Sequence, residues 1–578
     1  MSQSHGTWYG RFLGGFLLVI FLAGLMTVAV RASWLCDDAY ITFRTVDNVV
    51  KGHGPRWNVE ERVQAYTHPL WMLLLSAVYV FTREVFVTAQ MVGLILTLAV
   101  ALLLALVVAR TPAAALAALA ALGLSKAFIE YSTSGLENPL THLLLVSFLA
   151  LFFSDRPDAR KVLPLSLLAG LAALTRMDTL LIYLPALIFL IVKARSARAC
   201  VYMACGFLPF AAWEAFSVIY YGFPFPNTAY AKLSTGVPAA DLARQGLAYF
   251  ISQADIDPLT LAVALCGLAL PFALREWRAI MPALGAVLYL VYVVRIGGDF
   301  MVGRYFTAPM LVAAVLLARA PMRFGHAFTS IMVLGLLCFM GRYPIVLTDA
   351  EYGLDRLSQP GNAFRDERGV SDQRGFYYHA TGLLRGPQNG WEAKHEWVET
   401  GRMLRAKGKN VSAYGATGFK GYYAGPDAYI VDYHALSDPL LARLPGNDLV
   451  RWHIGHFKRD IPAGYLAVLR GEKEALDDPD LQAFLGKLFI ITRGPVWSRE
   501  RLRAIWEMNR GRYDGLIAMY AAQRAANAEP ARRDILLPPW TGRPAASEVR
   551  AEEDSETGEG DNDEPEPETG TESEPDHG

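Results

Sequence analysis

The sequence predicts a polytopic α-helical membrane protein with about eleven transmembrane helices, followed by an α/β domain outside the membrane and a disordered acidic tail. Three observations carry that expectation. Apolar residues make up 53% of the 578 residues, and mean hydropathy is +0.24, high for a soluble protein. The apolar residues come in long runs between Phe12 and Met340 and thin out beyond. From about Glu548 to Asp576 the chain is rich in Glu, Asp, Pro and Gly, too polar to bury a core. The divisions expected are 1–344 in the membrane, 345–540 outside it, and 541–578 as tail.

Phe12 to Val30 is long enough to span a bilayer and lacks a small-x-small cleavage site, so it reads as a retained anchor. Later apolar runs lie near 69–81, 86–108, 112–128, 136–153, 163–174, 179–193, 201–220, 259–274, 279–294, 303–318 and 326–341. The short basic loops "RPDARK" (156–161), "KARSAR" (193–198), "REWR" (275–278) and "RAPMR" (319–323) are placed together in the cytoplasm. An odd number of crossings must then separate loop 31–68 from "RPDARK", yet four runs lie between them. One is read as re-entrant or merged, and 69–81 is the shortest.

This orientation places five polar motifs on one outer face. They are loop 31–68, "SGLEN" (134–138), "TRMD" (175–178), "YYGFPFPNTAYAK" (220–232) and "RIGGDFMVGR" (295–304). Beyond residue 341, an amphipathic helix is expected over 395–409 and buried strands over 410–418 and 428–439.

Composition also excludes. A net charge of −1 gives no basis for a nucleic-acid partner, and no G-x-x-x-x-G-K-[ST] loop is present to hold a nucleotide. The five cysteines (Cys36, Cys200, Cys205, Cys266 and Cys338) show no zinc spacing with histidines and suggest no disulfide framework.

Charge near membrane depth is costly unless it lines a wet cavity, so the outer motifs form a candidate site. They suit transfer of a sugar from a lipid-linked phosphate. An acceptor hydroxyl needs a base, the departing phosphate needs cations, and aromatic faces can pack on sugar and prenyl chain. Asp37 and Asp38 are the leading carboxylates, although "DDAYITFRTVDNVV" also reads as a helix that one of them could cap. Arg44 lies about one and two-thirds helical turns beyond Asp38 and is a candidate phosphate ligand, or alternatively the partner of a nearby acid. Arg176, Arg295 and Arg304 are candidate phosphate ligands, with Asp299 among them; ion pairs that fix helix register are the other reading for these residues and for Asp178. Tyr40 and His68 are candidate substrate contacts, alternatively an interface-belt tyrosine and a helix cap. Glu137 is expected to cap the following helix, and His434 to be a satisfied turn histidine. Tyr422, Tyr423 and Asp432, near strand ends, are candidates for holding an acceptor.

The motifs "DDAYITFR", "KGHGPRWN", "ERVQAYTHPLW", "GLEN", "TRMD", "FPNTAYAK", "IGGDFMVGRYF", "GATGFKGYYAGP" and "IVDYHALSDPLLARLP" occur in that order. Together they resemble the terminal arabinofuranosyltransferases of the GT-C class, over about residues 12–470. The resemblance implies a GT-C fold in the bacterial inner membrane with its catalytic face and C-terminus extracytoplasmic. It also implies a polyprenyl-phosphate arabinofuranose donor and an envelope glycan acceptor. Asp37 and Asp38 stand where such enzymes keep an essential carboxylate, and the outer arginines would face the donor phosphate. No nucleotide is implied; a divalent metal is compatible but not required. Two alternatives stay open: the same chemistry on mannose or another sugar, and a transporter or flippase of a lipid-linked saccharide. The second fits less well, because the polar motifs lie at the outer ends of the runs and no internal repeat is visible.

Overall fold

The computed structural model describes residues 3–527, apart from 155–158, 234, 360–362, 447–451 and 473–475. The acidic tail and part of "RPDARK" lie outside the described residues. Every predicted apolar run is helical. Among the described residues, four helices are long and apolar enough to cross a membrane: Gly14–Arg31, Phe86–Val108, Met177–Ala194 and Trp277–Arg295. Two bent pairs, Ala197–Gly206 with Leu208–Tyr220 and Ala239–Ile256 with Pro258–Phe272, bring the number to six if each pair is one span. Six shorter apolar helices account for the remaining runs. Phe16, Val107, Val192, Val291 and Leu336 turn outward from these helices and are exposed. So much outward apolar surface is what a lipid-facing bundle presents and what a water-facing one avoids. This is the build of a polytopic membrane protein.

Small residues draw the bundle together. "PAAALAALAALGL" forms the helix Pro112–Leu124, and its alanines are buried. With no side chain beyond Cβ, this helix lets Gln3–Arg31, Thr307–Ala318 and Phe324–Met340 pack closely around it.

Beyond the bundle, β1 (Asn410–Tyr414) and β2 (Ala428–Asp432) pair in parallel, joined by the crossover helix Gly418–Ala424. β2 ends earlier than the sequence pattern suggests. The Asp432 carboxylate accepts the backbone N–H groups of His434 (2.9 Å), Leu436 (2.8 Å) and Ser437 (3.2 Å), which turns the chain out of the sheet.

The helix Asp37–Val50 clasps this unit to the bundle. The Asp37 carboxylate accepts the Gly418 N–H at 3.0 Å and the Phe419 N–H at 2.7 Å, capping the crossover helix from a distant part of the chain. The approach is so close that a Cβ on Gly418 would fall on the Asp37 carbonyl oxygen. Arg44 donates to the carbonyls of Gly421 (3.0 Å) and Ala428 (2.7 Å) and lies over the Trp57 ring. Asn58 pairs with Ile430 in both directions, as a neighbouring strand would. Tyr40 packs against Phe419, Tyr422 and Tyr423.

A second clasp is ionic and buried. Lys126 pairs with Glu130, Arg374 Nε donates to Glu130 at 2.8 Å, and Arg356 and the Tyr352 hydroxyl donate to Asp372 at 3.0 and 2.5 Å.

Asp37→Asn removes one of the two oxygens that cap the crossover helix and is expected to cost about 1–2 kcal/mol. Gly418→Ala forces the clasp apart, at a cost on the order of 1–3 kcal/mol. Both should lower the unfolding temperature of the detergent-solubilised protein, whereas Asp38→Asn should leave it unchanged.

Candidate active site

The site is built around Glu137. It precedes the helix Asn138–Phe153, but its side chain makes no capping bond there. The carboxylate is instead fully buried (0% exposed) and meets three partners from three loops. Arg176 Nη1 lies 3.1 Å from Oε1, Arg304 Nη2 lies 3.2 Å from Oε1, and His68 Nδ1 lies 3.2 Å from Oε2. The expected cap is thus an ionic hub. Burial pushes the Glu137 carboxyl up, but Arg304, His68 and Arg176 outweigh it and hold it down at about 2.

Each partner is itself braced. Arg176, at the end of the helix Val162–Thr175, forks onto Asp178 at 3.0 and 2.6 Å and covers the Tyr305 ring at 4.6 Å. Arg304 Nη1 lies 3.6 Å from Asp299 Oδ2. Asp299 reaches it because Gly297 and Gly298 (φ +91° and +71°) reverse the chain after the helix Trp277–Arg295. His68 Nε2 lies 2.8 Å from the Thr42 hydroxyl. Burial, with Arg304 and Arg176 nearby, outweighs Glu137 and pushes the imidazole down to about 4. It is therefore neutral at pH 7, with Nδ1–H directed to Glu137 and Nε2 accepting from Thr42.

Two charged groups on the same surface have no such bracing. Asp38 is half-buried and, among the described residues, makes no hydrogen bond or ion pair. Burial raises its carboxyl above the usual aspartate range; Arg304 and Lys232 oppose the rise, and Asp299 and Glu137 add to it. Lys232, on the short helix Asn227–Leu233, likewise has no hydrogen-bond or ion-pair partner among the described residues. It is exposed, yet desolvation pulls it below the usual lysine range, and Asp299, Arg304, Asp38 and Arg176 lie within electrostatic reach. A group that touches water while protein surrounds it sits in a cleft. The hub therefore supports a charged cleft that leaves one carboxylate and one ammonium unengaged.

The structure divides the sequence candidates. Asp38, Arg176, Asp299, Arg304 and His68 come together. Asp37 is drawn away into its cap. Arg44, read as a phosphate ligand, instead has its guanidinium held by backbone carbonyls of the C-terminal region. Arg295 is exposed at its helix end and forms no ion pair among the described residues. Tyr40, Tyr422 and Tyr423 pack on one another in the clasp, and the Asp432 oxygens accept three backbone N–H groups. Sequence reasoning missed Glu137 as the hub and Lys232 altogether. The available signals were an acid in "SGLEN" amid apolar neighbours and the one cation of "FPNTAYAK". Among the described residues, no three His, Cys, Asp or Glu groups are placed to hold a metal ion.

No family model matches the chain. It is 31% identical over 408 residues to the terminal beta-(1->2)-arabinofuranosyltransferase of Mycobacterium tuberculosis. It is 26% identical over 348 residues to the protein of that name from Corynebacterium glutamicum. These matches take in 60% and 51% of this chain but only 63% and 50% of the two relatives, so the chain spans less than two thirds of either. Among solved structures, ArnT from Cupriavidus metallidurans bound to undecaprenyl phosphate gives a TM-score of 0.41 at 13% identity, covering 74% of this chain and 76% of that one. A likeness that low carries no inference. By sequence, the chain is similar over part of its length to proteins named terminal beta-(1->2)-arabinofuranosyltransferase.

Proposed function

We propose that the chain is an integral membrane glycosyltransferase of GT-C type. It moves an arabinofuranosyl residue from a polyprenyl-phosphate donor to a hydroxyl of an envelope glycan, at the extracytoplasmic face of a bacterial inner membrane. The observation that carries this reading is the unengaged pair, Asp38 and Lys232, in a cleft held by Glu137, Arg176 and Arg304. The names of the homologues support the sugar and the reaction class.

In the proposed step, the acceptor hydroxyl gives its proton to Asp38 as its oxygen bonds to the anomeric carbon. The bond from that carbon to the phosphate oxygen breaks, and its electron pair leaves with polyprenyl phosphate. Lys232 meets the charge that grows on the phosphate. Arg176 and Arg304, tied to Glu137, contribute a fixed positive field behind it. A fixed field need not reorganise during the reaction, which is where its advantage over solvent lies.

The test uses purified protein in detergent with synthetic polyprenyl-phosphate arabinofuranose and a short arabinan, following phosphate-lipid release and acceptor mass. The acceptor should gain one pentose. A gain only with polyprenyl-phosphate mannose would change the sugar, and movement of donor across a bilayer without transfer would favour the flippase reading. Asp38→Asn should cut turnover by about 10²–10⁴-fold with the donor still bound. In the wild type, kcat should rise with pH through the raised Asp38 titration, and this acid limb should vanish in the residual activity of Asp38→Asn. Lys232→Met should raise the donor KM without lowering the unfolding temperature.

Stability should also depend on pH through His68. Its folded value of about 4 lies below the ordinary 6.5, so the unfolded chain takes up the proton first. Stability is therefore full above 6.5 and falls as pH drops towards 4; His68→Gln should flatten that slope in thermal unfolding at pH 7.5 and 5.

A further inference from the structure

Three histidines outside the ionic hub, His434, His453 and His456, pack ring to ring. The His434 and His456 centroids are 4.9 Å apart, those of His453 and His456 are 5.2 Å apart, and Phe300 closes on His456 at 4.3 Å. Histidines this crowded are usually accounted for by their hydrogen bonds, and here the protons can be placed. His453 Nε2 lies 2.9 Å from the Gly369 carbonyl, which can only accept, so that nitrogen carries the proton and Nδ1 holds a lone pair. His456 Nδ1, 3.1 Å from His453 Nδ1, must then donate, which leaves His456 Nε2 as an acceptor. His434 Nδ1 lies 3.1 Å from the Gly415 carbonyl and donates to it, so His434 Nε2 is an acceptor as well. Among the described residues, neither Nε2 has a hydrogen-bond partner.

The surroundings keep these rings neutral. Burial, and cations among Lys232, Arg365, Lys458 and Arg459, push all three imidazoles below the ordinary histidine value. A pair of neutral lone-pair acceptors beside an aromatic ring suits an uncharged ligand rich in O–H donors. It does not suit a phosphate, whose oxygens would meet lone pairs. The place also fits. Phe300 follows Asp299 in the chain, and Lys232 lies within electrostatic reach of both His456 and Asp38, so the imidazoles and the charged cleft share a border.

We infer that His434 and His456, backed by His453 and Phe300, form the subsite that binds the acceptor glycan through its hydroxyl groups. This rests on the proposed glycosyl transfer for its biological role but predicts glycan binding without any donor.

The test measures both. Binding of a short arabinan to the full-length protein in detergent, without donor, is followed by saturation-transfer NMR and calorimetry. Steady-state kinetics with donor then separate the two KM values. His456→Phe and His434→Phe keep ring packing and delete the lone pair; each should weaken arabinan binding and raise the acceptor KM about tenfold, roughly the loss of a well-made hydrogen bond. The donor KM should hold. His456→Gln, which returns a carbonyl oxygen near the Nε2 position, should recover part of the loss. An unchanged acceptor KM, or a rise in donor KM instead, would overturn the subsite while leaving the transfer reaction standing. Arabinan binding that is lost in the variants of a protein inert with every donor would leave the subsite standing and overturn the reaction.

Discussion

A buried carboxylate with nowhere to send its charge organises the membrane face of this protein. Removing a carboxylate from water costs several kcal/mol even after relaxation, so Glu137 is tenable only while its partners stay in place. Those partners come from the start of one helix, the end of another and the loop after a third. The requirement therefore fixes how three distant stretches of chain converge. Breaking such a cluster by removing one charge typically costs about 3–5 kcal/mol, because the others are left uncompensated. The bracing by Asp178, Asp299, Tyr305 and Thr42 has the same logic one layer out.

A rigid hub allows its neighbours to be free. Asp38 and Lys232 lie beside it without engaging each other or the hub among the described residues. Groups held this way are available to a ligand at little reorganisation cost. The adjacent Asp37 shows the opposite use of the same side chain: its two oxygens close a helix end and hold the C-terminal unit against the bundle. Position on the helix separates them, because successive residues point about 100° apart around its axis.

The two clasps hold the C-terminal unit against the bundle, and Phe300, from the loop after the helix Trp277–Arg295, meets His456 at 4.3 Å. The hub is ionic, whereas the three imidazoles are held neutral beside Phe300 with cations nearby.

Much was legible in the chain before it folded. Every apolar run that hydropathy marked is helical, because burial in lipid demands contiguous apolar length, although the helix Ala239–Ile256 of one bent pair was not among them; the motif order carried the likeness to the named relatives. Pattern also placed the two strands, though not the helix Gly418–Ala424 between them, and named Asp38, Arg176, Asp299, Arg304 and His68 as polar residues needing an explanation. Which aspartate of the pair is free, that Glu137 is a hub rather than a cap, that Arg44 braces a sheet, and that three histidines from two segments pack ring to ring were decided only by tertiary structure. Each of these depends on a partner hundreds of residues away or in another loop, and local sequence records a side chain's chemistry but not the neighbour that uses it up.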